Sequence, residues 1–482
     1  MRRVLTHHAQ VSEKYEVSAA LRGLFGAAEQ GGGVESVLNF IVERALMWLS
    51  VWTSEEDVMT ATTQLLLSLA MRKAVGKMLL ANASWHQFSR SIAMQVTNEG
   101  GVPKLPPAAL SPAMQALCAS VSSMSGGDEQ RATTGTMLRE LIAPVVERSA
   151  AVLRQGSAAS HLVVRAVNLL HGACKSADFY TCDCIFELVA PVLEALPAAL
   201  EACREHNDVT GSLVQLYVMV GEAQVSYLSA QQMSFFNRCC LHMLQTFARV
   251  EGSSAASSAL GAQRSLQVES NQEWLREHVL ALLQLLLHLA RKDVADFSNE
   301  GPQGQEAMDV GDVVLYGLSL IQPLITPEAL GYPALAREYF TFLSWLIETY
   351  PHKVCVMQKP MLDPIVACLL HGISQAAESE IARKSVEALD ALASHTLTSP
   401  PQPAAPSLLD VYPLLQVSSL PPSLPPSLSL SLSFSLSISL YLSLSLASPP
   451  AIPRAALPAV ARHGVSAAAG PTAPESLGHR RS

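Results

Sequence analysis

Apolar residues recur at helical spacing through the first 399 residues of this 482-residue chain, and no other feature restricts its fold as tightly. Ile185, Leu188, Val189, Val192, Leu193 and Leu196 form one stripe at i, i+3, i+4, i+7, i+8 and i+11. Leu335, Tyr339, Phe342, Leu343, Leu346, Ile347 and Tyr350 form a second, and Val279, Leu282, Leu283, Leu286, Leu287 and Ala290 a third. The second stripe can open at Pro333, where a missing N–H is harmless, and has to stop before Pro351. No run of alternating residues between Gly/Asn turns competes with these helices, so the expected class is all-α. Ser54 and Asp57 resemble a capping box at the start of the helix that holds Leu65–Ala70. Loops are expected at Asn98–Pro107, Gly252–Asn271 and Ser298–Ala307, with Gly31–Gly33 joining early helices.

A loose motif adds a longer period. LIAPVVE, LVAPVLE, LIQPLIT and LDPIVAC carry Pro144, Pro191, Pro323 and Pro364, separated by 47, 132 and 41 residues. Reading 132 as three steps of 44 gives the period of a two-helix HEAT or armadillo unit. In that reading each proline sits inside a helix and bends it around its neighbour. A stacked solenoid also accommodates the length, because each repeat contacts only its neighbours, whereas a single core stops growing near ~250–300 residues. The expected architecture is a HEAT-repeat (armadillo-like) α-solenoid over residues 1–397.

Hydrophobic residues make up 49% of the chain and charged residues 15%, which suits extensive buried helix. The net charge is −9, and residues 1–399 alone carry −11, because the tail holds Asp410 and Glu475 against Arg454, Arg462, Arg480 and Arg481. An acidic body disfavours nucleic acid and anionic membranes and suits a basic protein partner. No apolar stretch follows Arg2 and Arg3 to form a secretory signal. The richest apolar run, Val279–Ala290, is 12 residues with Gln284 and His288 inside it, too short for a membrane span and suited to a core helix.

Residues 398–482 differ in kind. Ser419–Leu446 largely alternates Ser with an apolar residue, and the remainder is rich in Ala and Pro. A CT dinucleotide repeat read in frame encodes Ser-Leu indefinitely. The tail is therefore expected to be disordered low-complexity chain or translated pyrimidine-rich sequence, such as an unspliced intron, joined to a truncated solenoid.

Candidate chemistry is sparse. Nine cysteines, at 118, 174, 182, 184, 203, 239, 240, 355 and 368, include no CxxC pair. Cys182-Asp183-Cys184 and Cys239-Cys240 could be metal ligands, but neither has a second pair at tetrahedral spacing, so buried thiols are expected. His7-His8 reads as a surface pair; His161 and His171 bracket one helix ten residues apart, without the i, i+4 geometry of HExxH. Glu55-Glu56-Asp57 belongs in a helix's first turn, where the dipole favours negative charge; receipt of a basic cargo is the functional alternative. Asn82-Ala83-Ser84 matches a glycosylation acceptor without a secretory context. GxGxxG, GxxxxGK[ST] and GxSxG are all missing from the sequence, so no catalytic, cofactor or metal residue is assigned.

Two stretches carry a family resemblance. Asp312–Val354, DVVLYGLSLIQPLITPEALGYPALAREYFTFLSWLIETYPHKV, resembles the C-terminal part of the exportin-4 family, nuclear transport receptors of the importin-β (karyopherin) superfamily. Val37–Arg90, with VLNFIVERALMWLSVWTSEEDVMTATTQLLLSLA and then ASWHQFSR, is similar to the same family farther upstream. The resemblance extends from near the start to about His395. It implies a HEAT-repeat superhelix that binds protein cargo together with Ran-GTP, passes nucleoporins in the nuclear pore, and shuttles between nucleus and cytoplasm. Cargo of the family includes the hypusine-containing translation initiation factor. Neither direct nucleic-acid binding nor membrane insertion is implied, and cargo-binding residues stay unassigned. The N-terminal repeats that chiefly grip Ran are expected to be missing from this chain. The alternative is a Ran-independent HEAT-repeat scaffold for assembly of a protein complex.

Overall fold

The computed structural model describes residues 33–97, 103–124, 128–258, 265–296, 310–374 and 379–398, all within the unit Met1–Ser419. His7-His8, the Ser298–Ala307 loop and the Ser/Leu/Pro tail lie outside the described residues.

Eighteen α-helices follow one another among the described residues. The first five are α1 (Gly33–Val51), α2 (Glu56–Ala70), α3 (Lys73–Leu79), α4 (Ala83–Ser91) and α5 (Met94–Thr97). Then come α6 (Pro107–Ser122), α7 (Asp128–Leu153), α8 (Ser160–Lys175), α9 (Cys182–Ala202), α10 (Asn207–Ala223), α11 (Ala230–Ser258) and α12 (Ser265–Asp296). The series closes with α13 (Val310–Ile321), α14 (Pro327–Leu330), α15 (Pro333–Thr349), α16 (Pro351–Cys355), α17 (Lys359–Ser374) and α18 (Ser379–Thr398).

Alternate helices stack in two layers. In the first, α2, α6, α8, α10, α12, α15 and α18 each pack on the next; in the second, α7, α9, α11 and α13 do the same. The chain crosses between layers at nearly every step, with α7 against α8 and α12 against α13. A stack built this way is an all-α, solenoid-like repeat. Each helix buries one stripe on its own layer and another across the layers, which is why the stripes read from the sequence are broad. Ile185, Val189, Val192, Leu193 and Leu196 are buried, as are all seven residues of the α15 stripe from Leu335 to Tyr350. Of the Val279–Ala290 run, nine side chains are buried, among them Leu282, Leu283, Leu285 and Leu286; no helix among the described residues is long and apolar enough to cross a membrane.

Four expectations change. Pro144, Pro191 and Pro364 lie inside α7, α9 and α17, but Pro323 follows α13 in a short 3-10 turn (Gln322–Leu324) and ends that helix. The 132 residues from Pro191 to Pro323 hold two steps of the second layer, α9 to α11 to α13, and not three. The period stretches here because α11 and α12 have 29 and 32 residues. Helix also continues from both sides into the expected Gly252–Asn271 loop, to Ser258 and from Ser265, where Ala255, Ala256, Leu266, Gln267 and Glu269 are helix-favouring residues. At α2 the N-cap is Glu55, with no side-chain cap bond; the chain turns at Trp52, whose carbonyl accepts from the Glu55 N–H at 3.1 Å, so Ser54 is one residue too early to cap.

Three positions fix how closely helices approach. A Cβ built on Gly172 of α8 would stand 2.2 Å from the Ser111 carbonyl oxygen of α6. One on Gly372 of α17 would meet Ser385 Oγ at 2.3 Å and the Phe340 ring at 2.6 Å. Trp85 of α4 is 1% exposed and donates its Nε1–H to Ser120 Oγ at 3.1 Å, tying the early helices to α6.

Candidate interaction site

Helix faces decide where chemistry could occur, so the grooves between adjacent helices come first. On α10, Asp208, Gly211, Ser212 and Gln215 fall at i, i+3, i+4 and i+7 and therefore share one face. With Asn168 and His171 of α8 and Glu277 and His278 of α12 they line a groove of about 590 Å³ across three consecutive first-layer helices. Asp208, Gln215 and Glu277 are exposed, Asn168 half-buried and His278 buried. His278 stacks on Phe247, ring centroids 6.3 Å apart, and its Nε2 lies so near α10 that a Cβ on Gly211 would be 2.9 Å from it. His171 pairs with Ser111 Oγ at 2.9 Å, and burial aided by Lys175 pushes its pKa down to about 4, so it is neutral at physiological pH. Asp208 and Glu277 form no ion pair with the described residues.

The second layer has a different groove, about 390 Å³, between α7 and α9. Arg131 and Arg139 reach Asp183 and Glu187 at 3.0 and 3.8 Å, so its charges are neutralised internally. All four side chains are about half exposed, and pairs of this kind contribute only ~0.2–1 kcal/mol. Beside it Phe179, Tyr180 and Tyr227 form an exposed cluster with edge-to-face contacts at 5.3 and 6.3 Å. A further exposed set, Phe40, Met47, Trp48, Val51 and Trp52, runs along and just beyond α1, with Arg44 5.2 Å over the Phe40 ring. Phe40, Met47, Trp48 and Val51 are at i, i+7, i+8 and i+11, a spacing that marks a second apolar face.

The residues singled out from the sequence take structural places. Cys182 and Cys184 open α9 and point different ways, with Sγ 3.7 Å from the Gln224 carbonyl oxygen and 3.6 Å from that of Gly135. Cys239 and Cys240 are buried in α11. All nine cysteines are free thiols, and among the described residues no group of three His, Cys, Asp or Glu could hold a metal ion. Glu55 stands at the N-cap position of α2 without a cap bond, while Glu56 and Asp57 occupy its first turn, where the dipole favours negative charge. Asn82 is 5% exposed; it accepts the Trp85 N–H at 2.9 Å as N-cap of α4 and donates Nδ2–H to Asn39 Oδ1 at 2.8 Å. His161 is exposed on the first turn of α8, and His171, buried from much of the solvent, is the one histidine of that helix that reaches the groove.

Burial gives the thiols a measurable signature. Desolvation raises the Cys118 and Cys174 pKa to about 12 from the ordinary 9.0. The folded state thus holds its protons where the unfolded chain releases them, so this stabilisation is complete below pH 9 and is lost as pH climbs towards 12. Thermal melts are expected to fall steeply from pH 9 upward, and iodoacetamide at pH 8 to leave both thiols unlabelled until denaturant is added. Rapid labelling of either in the native protein contradicts this burial.

No family model matches the chain. Among solved structures, the chain is similar to a "circular tandem repeat protein with novel repeat topology and enhanced subunit contact surfaces", at 14% identity and a TM-score of 0.40, covering 82% of this chain and 90% of that one. The two layers follow from this chain's own helix packing. The chain is an all-α, solenoid-like stack of helices by its own packing.

Proposed function

We propose that this chain works as a scaffold for assembly of a protein complex, holding partners on its helical faces without covalent chemistry. The observation that supports it most is the open polar groove crossing α8, α10 and α12, on a stack that also exposes aromatic clusters at Phe179, Tyr180 and Tyr227 and along α1. Neighbouring repeats of a solenoid present side chains in series, which suits extended contact with another macromolecule. In the test, the full chain is purified from cells after crosslinking and its partners are identified with and without added Ran-GTP. A stoichiometric protein partner retained equally in both conditions is expected. A chain that crosslinks to no stoichiometric partner in either condition sinks the reading.

The second reading is a nuclear export receptor, supported by the ordered resemblance of Val37–Arg90 and Asp312–Val354 to the exportin-4 family. In it the chain carries cargo through the pore between nucleus and cytoplasm, and Ran-GTP and cargo bind with positive coupling. The same experiment separates the two. Retention of a partner such as the hypusine-containing translation initiation factor only with Ran-GTP favours the receptor.

A further inference from the structure

We propose that the first-layer groove over α8, α10 and α12 takes an extended peptide segment bearing lysine or arginine. The inference rests on the scaffold reading and names the chemistry of one of its contacts.

Four observations lead to it. The groove crosses three neighbouring helices whose axes lie ~8–10 Å apart, so it spans roughly 16–20 Å, or about five to six residues of extended chain at ~3.3 Å each. Its volume of about 590 Å³ falls within the range of binding clefts. The amides of Asn168 and Gln215 each offer a donor and an acceptor, which is the pairing that a peptide N–H and C=O require. Its charge is one-sided: Asp208 and Glu277 line it, no lysine or arginine does, and neither carboxylate is neutralised by the described residues. The α7–α9 groove shows the contrast, since Arg131 and Arg139 already satisfy Asp183 and Glu187 there. Exposed carboxylates that no described residue pairs with, in a groove of neutral amides, favour a cation brought by the ligand.

Fluorescence anisotropy of a fluorescein-labelled octapeptide of alternating Lys and Ser, on the full chain at low salt, tests this. Binding is expected, with no binding by the alternating Glu–Ser octapeptide. Asp208→Asn with Glu277→Gln should weaken it about five- to tenfold, because two exposed ion pairs are lost. Asn168→Ala with Gln215→Ala should weaken it at least threefold while leaving the salt dependence unchanged. Asp208, Gln215 and Glu277 are exposed, so these changes leave the core intact; an unchanged circular-dichroism melt checks it. Absence of binding, or binding that the carboxylate variant leaves unaltered, overturns the groove assignment. In that event, partners still recovered by crosslinking keep the scaffold reading; loss of both ends both.

Discussion

Replacing Arg165 with methionine is expected to destabilise the fold by about 3–5 kcal/mol. Arg165 of α8 is 2% exposed, yet no carboxylate among the described residues pairs with it. Its Nε–H donates to the Gln95 carbonyl at 2.7 Å, one Nη–H to the Leu105 carbonyl at 2.7 Å and the other to Gln95 Oε1 at 3.0 Å. Gln95 in turn donates to the Pro103 carbonyl at 2.9 Å and accepts from the Leu105 N–H at 3.0 Å. The guanidinium therefore satisfies the buried backbone at the end of α5 and just before α6, where no helix supplies partners. Burial lowers its pKa, but the arginine value is so high that the charge persists at neutral pH. Methionine fills the space and strands the Gln95 and Leu105 carbonyls, each worth roughly 1–3 kcal/mol when left unmade, while Gln95 Oε1 keeps the Leu105 N–H. Lysine keeps the charge but not the planar fork, and should recover less than half of the loss. Urea titration monitored by circular dichroism measures both; an Arg165→Met midpoint matching wild type would show that the clamp contributes nothing.

Gly172→Ala is expected to cost about 2–4 kcal/mol, and Gly135→Ala to gain ~0.5–1 kcal/mol. Both glycines are helical, so intrinsic propensity favours alanine by ~1 kcal/mol at each. Space reverses the sign at one of them. The new Cβ at 172 would be 2.2 Å from the Ser111 carbonyl oxygen, a backbone atom that no rotamer change can move, so α6 and α8 must separate. At Gly135 nothing lies within 4 Å of the new Cβ. Paired melts of the two variants decide it, and shifts of the same sign would refute the close-approach argument.

Arg165 and Gly172 also show how far the sequence could be read. Arg165 lies three residues after Leu162 and four before Leu169, so its place beside apolar residues was legible at helical spacing. Its partners, 60 and 70 residues earlier in the chain, were not, because hydrogen bonds of that range leave no local pattern. Asn82 is similar: the glycosylation pattern was visible, but not the cap that occupies its side chain. The groove was legible only in halves. The α10 face at Asp208, Ser212 and Gln215 can be read at helical spacing, but its union with Asn168 and Glu277 required the layers to be assembled.

The helices, their apolar faces and the proline start of α15 follow from the sequence alone, because helix formation depends on neighbours three and four residues away. Which helices stack, how many steps lie between Pro191 and Pro323, and which carboxylates face one opening were decided by tertiary packing. Those outcomes depend on contacts between residues tens of positions apart, and no local spacing encodes them.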